Sequence, residues 1–362
     1  ASDDRLAAAF PAVMVSTAMQ GGCTCENACY LRIDTGNIEF AAMCAPKPLG
    51  LSAANDWTKE LETKGLPELK QHYKMLGVAD RVEGKHFDFG HNYNYVSRAM
   101  MYEFFNRYLN LGLDSPIVEQ DFQPLSQQEL TVWTDEHPQP EATEEAERKV
   151  VRAFYQDAVE PLKKLRPTDA ESLKEYRRVV GGAIETMVGH GLPSADEVQD
   201  EPLQETAGEG YRVVTSLLRN KEHGAELPAV FILPAKWNKQ VAIWLTDRGK
   251  AGLFAADGKP NAEVRQLLQG GVAVAGVDLI YQGEFLADGQ PLEEARVVSN
   301  PRQFAGYTLG YNHPMFAQRV QDVLTMVAYC RNHVTKPEAV CLAGLGEVGP
   351  IAAAAASLIP GT

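Results

Sequence analysis

The sequence has no excess of positive charge and no long apolar run. It contains 34 Lys and Arg against 48 Asp and Glu, which gives a formal net charge of -14. Binding to a nucleic-acid backbone requires concentrated Lys and Arg, so this charge balance argues against a nucleic-acid partner. No apolar run approaches the roughly 20 residues that cross a bilayer, and the alanine-rich run at 352–356 is too short. We therefore expect neither nucleic acid nor a membrane as a partner.

A recognisable signal sequence is also missing, because no basic region followed by an apolar segment opens the chain. The sequence starts at Ala1 without Met, and residues 6–16 read directly as a buried strand. Helix-forming residues 351–358 stand just before the last residue, Thr362. We expect both ends to be cuts through domains, which leaves localisation undetermined and export of a longer parent protein open.

The six cysteines are distributed unevenly. Four lie close together, namely Cys23, Cys25, Cys29 and Cys44. The other two, Cys330 and Cys341, lie in a predicted helix and a predicted strand. The Cys-x-Cys-x3-Cys spacing differs from the paired Cys-x2-Cys signature of structural zinc. Packed thiols are therefore favoured over a disulfide within the loop, a metal site is least favoured, and no cofactor is expected.

The first third of the chain alternates short strands with helices. Strands are predicted to end near Ser16 and to cover 49–53 and 82–87. Helices are predicted at 66–76 and 96–109, while 38–43 is too short to assign. This alternation is typical of a parallel sheet covered by helices. We take residues 1–122 as one α/β unit.

A polar, proline-containing stretch at 117–140 is the best linker candidate. Two predicted helices follow it, at 141–165 and 170–188, so residues 123–204 are expected to form a linker and a helical segment. A second strand-rich section spans 205–362. Its predicted strands cover 211–218, 229–233, 241–245, 272–277 and 339–342, and its predicted helices cover 315–332 and 351–358. The predicted fold class is α/β, with a mostly parallel sheet and helices on both faces.

Asp56 and His91 are the first candidate site pair. Each follows one of two successive predicted strands, which would deliver both side chains to one edge of the sheet. A Ser or Cys nucleophile needs an imidazole to take its proton, and the imidazole needs a carboxylate to fix its tautomer. The alternative is a loop Asp and a loop His that never meet. Trp57 and Tyr93 flank the pair as candidates for a pocket wall or for ordinary core packing.

A glycine-rich elbow between a strand and a helix is the second candidate. In a Gly-x-Ser-x-Gly alignment Gly344 takes the first position and Gly346 the nucleophile position, where glycine has no side chain to attack a carbonyl. The neighbouring Glu347 is an alternative nucleophile, although an exposed Glu at a helix start explains it equally. With Gly349 the segment also reads Gly-x-Gly-x-x-Gly. NAD binding is therefore a less favoured alternative, because this fingerprint normally opens its domain.

Three weaker candidates have plain structural explanations. Residues 246–250 follow a strand where an oxyanion loop would lie, but a surface turn is as good an interpretation. His313 stands before Pro314 at a helix start, which is typical of a capping or packing residue. Ser52 sits inside a strand and is read as core.

Three stretches of the first unit resemble bacterial acetyl xylan esterase-like proteins of the α/β-hydrolase superfamily. They are residues 14–28 (MVSTAMQGGCTCENA), 45–50 (APKPLG) and 91–95 (HNYNY). The resemblance covers nearly all of 1–122 and is to the C-terminal half of that domain. It implies that Asp56 is the triad acid, that His91 is the triad base, and that the serine lies upstream of residue 1. It also implies a small-molecule or carbohydrate ester as substrate.

The second section resembles the N-terminal half of a further hydrolase unit, as in tandem hydrolases. Residues 274–285 (VAGVDLIYQGEF) resemble the strand and loop that precede the helix leading to the elbow. The leading hypothesis is a serine carboxylesterase of acetyl xylan esterase type, with a degenerate second unit and no activity in this chain alone. The rival is a non-catalytic α/β-hydrolase-like binding or scaffold protein. The sequence leaves open the oligomeric state and whether the half-units close into one permuted sheet.

Overall fold

The computed structural model describes residues 3–17, 30–287 and 310–359. The chain divides into two compact units. The first consists of Ala1–Ala146 with Val298–Asn312, and the second of Glu147–Val297 with His313–Thr362. The described strands form two separate hydrogen-bonded sheets, one of two strands and one of six.

The sheet of the first unit consists of two parallel strands, β1 (Leu49–Ala53) and β2 (Val82–His86). All five residues of β1 are buried, as its uninterrupted apolar sequence predicts. Residues 6–16 were predicted to form a further strand, but they make only two isolated parallel bridges to β1. Val13, directly after the second bridge, has a φ of 55°, in the left-handed region that disfavours a β-branched residue, so extended pairing does not continue past it.

Among the described residues, the first unit has four helices: α1 (Asn37–Ala42), α2 (Leu66–Met75), α3 (Tyr95–Leu109) and α4 (Gln127–Leu130). The helices predicted at 66–76 and 96–109 are confirmed to within one residue, and α1 assigns the stretch that the sequence left open. A π-helical turn, Leu61–Gly65, leads into α2. Around β1 these elements bury a core that includes Leu51, Leu61 and Tyr73, each contributing about 1.5–3 kcal/mol.

Six further helices lie in the part of the chain that the structure describes: α5 (Glu144–Lys164), α6 (Ala170–Tyr176), α7 (Gly182–Val188), α8 (Ala262–Gln269), α9 (Met315–Asn332) and α10 (Gly349–Ser357). A π-helical segment, Arg177–Gly181, joins α6 to α7. The helix predicted at 170–188 is therefore continuous, with a local change in winding.

The second unit contains a six-stranded mixed sheet. Its strands are β3 (Val198–Gly208), β4 (Tyr211–Asn220), β5 (Ala225–Pro234), β6 (Gln240–Leu245), β7 (Ala273–Val277) and β8 (Ala339–Gly344). They are arranged in the order β3-β4-β5-β7-β6-β8. Helices cover both faces, as predicted. Ala229 and Ala275 pack in a core with α9 and α10, whereas their neighbours Val230 and Val274 pack with α8 on the opposite face.

The prediction of a mostly parallel sheet was wrong. The β3–β4, β4–β5 and β5–β7 pairs are antiparallel, and only β6–β7 and β6–β8 are parallel. The short connections at 209–210 and 221–224 permit only antiparallel hairpins. The sequence also gave no sign of β3, because this edge strand is polar and exposed along nearly its whole length and lacks apolar alternation.

Candidate active site

The parallel pairing of β1 and β2 brings the loops that carry Asp56 and His91 to one edge. Asp56 follows the last residue of β1 by three positions, and His91 follows the end of β2 by five. The two loops stay paired beyond the strands. The N–H of Phe87 donates to Ala53 O over 2.9 Å, and the N–H of Asn55 donates to Phe89 O over 2.8 Å. Backbone pairing therefore fixes both loops.

The structure places the two side chains in direct contact. His91 Nδ1 lies 2.7 Å from Asp56 Oδ2, with the Asp56 side chain 14% exposed and the His91 side chain 56% exposed. A carboxylate can only accept a hydrogen bond, so Nδ1 carries the proton and Nε2 keeps a lone pair. Within the described residues Nε2 makes no hydrogen bond. The pair has the arrangement of an oriented imidazole base.

Thr58 holds the other oxygen of the Asp56 carboxylate. Its N–H and its hydroxyl donate to Asp56 Oδ1 over 2.7 Å and 2.6 Å. The same hydroxyl accepts the N–H of Ala54 over 3.0 Å, and Thr58 is fully buried. Each Asp56 oxygen therefore has its own partners. Sequence reasoning missed Thr58, although its position two residues after Asp56 is typical of an Asx turn.

These contacts keep Asp56 ionised. Burial acts to raise the pKa of Asp56, but the Thr58 hydroxyl, the Thr58 N–H and His91 together outweigh it and lower the pKa below its usual value. A permanent negative charge beside Nδ1 is what stabilises an imidazolium when Nε2 takes up a proton.

The loop after His91 is anchored by the start of α3. The Asn94 side chain accepts the N–H groups of Val96 and Ser97 over 3.0 Å and 3.3 Å, which is a standard N-cap. Tyr93 is 46% exposed, and its carbonyl accepts from Arg98 over 2.8 Å. The partly buried Trp57 lies in the other loop. Both aromatic residues are thus within the loops that carry the acid and the base.

The glycine-rich elbow lies in the second unit and has the shape that the sequence predicts. Gly344 ends β8, a 3-10 turn covers Gly346–Val348, and Gly349 begins α10. Gly346 has a φ of 65°, and a Cβ there would lie 2.2 Å from Asp247 Oδ2. Glu347 is exposed. The residue after it is Val348, where the Gly-x-Ser-x-Gly pattern has its second glycine. The strand, turn and helix are present without a nucleophilic side chain at Gly346.

The loop at 246–250 is tied to a buried acid that sequence reasoning missed. Lys250 donates its N–H to Asp278 Oδ1 over 2.8 Å, and its ammonium group forms ion pairs with Asp278 and, at 2.5 Å, with Glu284. Asp278 is 1% exposed and directly follows the fully buried strand β7. A carboxylate after such a strand is the signal that could have identified it.

The described residues contain no group of His, Cys, Asp or Glu side chains that could hold a metal ion. Three cysteines are described, and each has a free thiol: Cys44 is half-buried, Cys330 is buried and Cys341 is exposed. Cys23, Cys25 and Cys29 lie outside the described residues. In the described part of the chain no helix is long and apolar enough to cross a membrane.

Comparison with known proteins finds partial structural similarities. No protein-family model matches the chain. No curated protein sequence matches it either. A methylesterase of known structure is 30% identical over 30% of this chain and 26% of its own, with a TM-score of 0.28.

Two further solved structures are similar over a longer part of the chain. A protein assigned as an acetyl xylan esterase from Bacteroides fragilis is 14% identical over 55% of this chain and 56% of its own, with a TM-score of 0.36. An acetyl xylan esterase from a Paenibacillus species is 15% identical over 55% and 60%, with a TM-score of 0.31. The chain thus spans between 26% and 60% of the length of these three proteins.

Proposed function

We propose that Asp56 and His91 are the acid and base of a serine carboxylesterase that removes acyl groups from carbohydrate esters. One observation carries the proposal: His91 Nδ1 lies 2.7 Å from Asp56 Oδ2, and Nε2 of the same imidazole ring makes no hydrogen bond within the described residues. The sequence resemblance to acetyl xylan esterases supports the same roles for these two residues. In this proposal the nucleophilic serine comes from polypeptide upstream of residue 1.

The chemistry would proceed in two transfers. His91 Nε2 takes the serine proton as the serine oxygen attacks the ester carbonyl, and it then gives that proton to the departing sugar hydroxyl. An acyl-serine remains. A water molecule then attacks the acyl carbonyl while Nε2 takes its proton, and Nε2 gives that proton to the serine oxygen as the bond between serine and the acyl group breaks and the carboxylic acid is released. Asp56 keeps Nδ1 protonated throughout and stabilises the imidazolium, while backbone amides stabilise the oxyanion.

The proposal assigns the remaining segments as follows. Residues 1–122 are the C-terminal half of the catalytic unit, 123–204 a linker and helical segment, and 205–362 the N-terminal half of a second, degenerate unit. Gly346 supports this last assignment, because its left-handed φ of 65° is a conformation that turns of this kind require, while its missing side chain leaves no nucleophile. This chain alone is then expected to be inactive.

Ester hydrolysis tests the proposal. 4-Nitrophenyl acetate and acetylated xylan would be supplied to this chain and to a protein extended upstream through the serine. We expect turnover only by the extended protein, with strong loss on Asp56→Asn because the imidazole then loses its anionic partner. His137→Ala is a matched control, since His137 is exposed in the linker, and should leave the rate unchanged. An inert extended protein would refute the esterase assignment.

A non-catalytic binding protein is the second candidate. It is favoured by the elbow of the second unit, where Gly346 offers no nucleophile, and by the open Nε2 of His91, which has no hydroxyl or thiol partner in the described ranges. Under this alternative the extended protein binds a carbohydrate ester and does not cleave it. Measuring binding and release of acetate in the same sample separates the two functions.

A further inference from the structure

Three histidines converge on a cavity of about 550 Å³ in the second unit. His190 follows α7, His223 lies in the β4–β5 turn and His313 precedes α9. The ring centroid of His190 lies 4.0 Å from that of His223 and 5.1 Å from that of His313. Segments far apart in the sequence thus supply one cluster of imidazole rings, which we call the histidine pocket.

The histidine pocket lies at the edge of the sheet where α/β proteins bind ligands. Ile280, which lines it, follows the carboxyl end of the parallel strand β7. The antiparallel strand β5 starts at the same edge, since Ala229 pairs with Val277. In open α/β sheets ligands bind outside the carboxyl ends of the strands. A larger cavity of about 720 Å³ lies against Val241 and Ala273, at the amino ends of β6 and β7.

The pocket contains an amide group that the described part of the protein does not satisfy. Gln321 is 6% exposed, lines the cavity, and neither its amide nitrogen nor its amide oxygen has a hydrogen-bond partner there. Leaving a buried polar group unpaired is unfavourable. A ligand with both a donor and an acceptor would remove that cost.

The neighbouring acid is also buried in the wall. Asp322 is 7% exposed, and its Oδ2 accepts the N–H of Ile280 over 2.8 Å. Arg319 donates to Ile280 O over 3.0 Å. Helix α9 therefore fixes the loop after β7 through both backbone groups of one residue, and it presents Gln321 and Asp322 side by side.

Local contacts hold the histidines in place. Gly189 ends α7 with a φ of 78°, and a Cβ there would lie 2.2 Å from His313 Cε1, so only glycine allows the ring to approach. The N–H of His223 donates to the buried Asn220 side chain over 3.4 Å, and Asn220 donates to Thr325 over 3.1 Å. The pocket is preorganised by contacts on several sides.

We propose that the histidine pocket binds a neutral carbohydrate, with the Gln321 amide as its central hydrogen-bonding group. One amide supplies a donor and an acceptor, which matches two neighbouring hydroxyl groups of a sugar. Phe285 in the wall, which is 38% exposed, gives an apolar surface for the C–H face of a sugar ring. The charged residues among those lining the cavity are Glu226 and Asp322, which disfavour an anionic ligand. The proposal goes beyond the esterase assignment and rests on the pocket alone.

Calorimetric titration of this chain with xylotetraose, mannotetraose and cellotetraose tests the proposal. We expect saturable binding of at least one of them. Gln321→Met keeps the side-chain size and should weaken that binding by at least about tenfold, the equivalent of one or two hydrogen bonds. The same variant should melt at the same or a higher temperature, because it removes an unpaired buried amide. Gln266→Met, on the exposed side of α8, is the matched control and should change neither property.

Other outcomes would overturn the proposal. These are no binding of any of the three oligosaccharides, equal binding by Gln321→Met, or saturation of the pocket by trigalacturonate or Zn²⁺ instead. If Gln321→Met did not fold, His223→Asn in the β4–β5 turn would provide the same comparison. Oligosaccharide binding tests the pocket proposal and ester hydrolysis by the upstream-extended protein tests the esterase proposal, so the failure of one is distinguishable from the failure of the other.

Discussion

Replacing Thr58 by Val should destabilise the first unit, although the two side chains are nearly the same size. The Thr58 hydroxyl donates to Asp56 Oδ1 over 2.6 Å and accepts from Ala54 N–H over 3.0 Å. Loss of a hydrogen bond to a charged group costs about 1.5–3 kcal/mol, and an orphaned buried N–H costs about 1–3 kcal/mol. The added methyl group returns about 0.8 kcal/mol. Allowing for non-additivity, we expect a net loss of about 2–4 kcal/mol in the free energy of unfolding.

The same substitution should shift the acid sensitivity of this unit. The pKa of folded Asp56 lies below that of the free side chain, so its contribution to stability is present above the unfolded pKa and is lost as the pH falls through the folded pKa. Without the Thr58 hydroxyl the folded pKa rises. Thr58→Val should therefore lose less stability on acidification than the wild type, and the difference in stability between the two proteins should narrow as the pH falls through the unfolded and folded pKa values of Asp56.

Hydrogen–deuterium exchange of peptides that cover β1 and the Asp56 loop measures the free energy of opening of this region by itself. A thermal melt of the whole chain would mix the unfolding of both units. Thr58→Ser is the matched control. It keeps both hydroxyl contacts and loses one buried methyl group, at a cost of about 1 kcal/mol. Equal opening free energies in the Val and Ser variants, with unchanged acid sensitivity, would show that the hydroxyl does not hold Asp56.

Two further predictions concern other sites. Burial raises the pKa of Asp322 from 3.8 to about 6, so the folded protein holds this proton more tightly than the unfolded chain, and stability is lost as the pH rises through that window. Asp322→Asn should recover up to about 3 kcal/mol near neutral pH and little near pH ~4; equal effects in melts at both pH values would contradict this. Asn94→Ala removes the N-cap of α3 and should lower the stability of that helix by about 1 kcal/mol. Hydrogen–deuterium exchange should show this as faster exchange of the amides in the first turn of α3. Asn94→Ser keeps a capping side chain and should retain most of the protection.

The sequence predicted the parts of the fold that depend on one continuous apolar run. Strand β1 is buried at every residue, so its pattern was plain, and the edge that holds Asp56 and His91 followed from it. Strand direction in the second unit was predicted wrongly because apolar periodicity carries no information about it. Strand β3 gave no signal because it is exposed.

The missed site residues depend on tertiary contacts. The role of Thr58 arises because a turn brings its hydroxyl to Ala54 N–H, which no residue pattern specifies. His190 and His313 are 123 positions apart in the sequence, and their rings approach to 5.1 Å only through the packing of α7 and α9. Asp278 is the exception, because a carboxylate directly after a buried strand could have been identified from the sequence.

The hydrolysis rate of the upstream-extended protein with and without His91 tests the central claim most directly. kcat/KM for 4-nitrophenyl acetate would be measured for the wild type and for His91→Ala under identical conditions. Because His91 is proposed to carry the proton in both transfers, we predict a loss of about 10⁴-fold or more. A His91→Ala protein that keeps wild-type activity would contradict the assignment of Asp56 and His91 as acid and base.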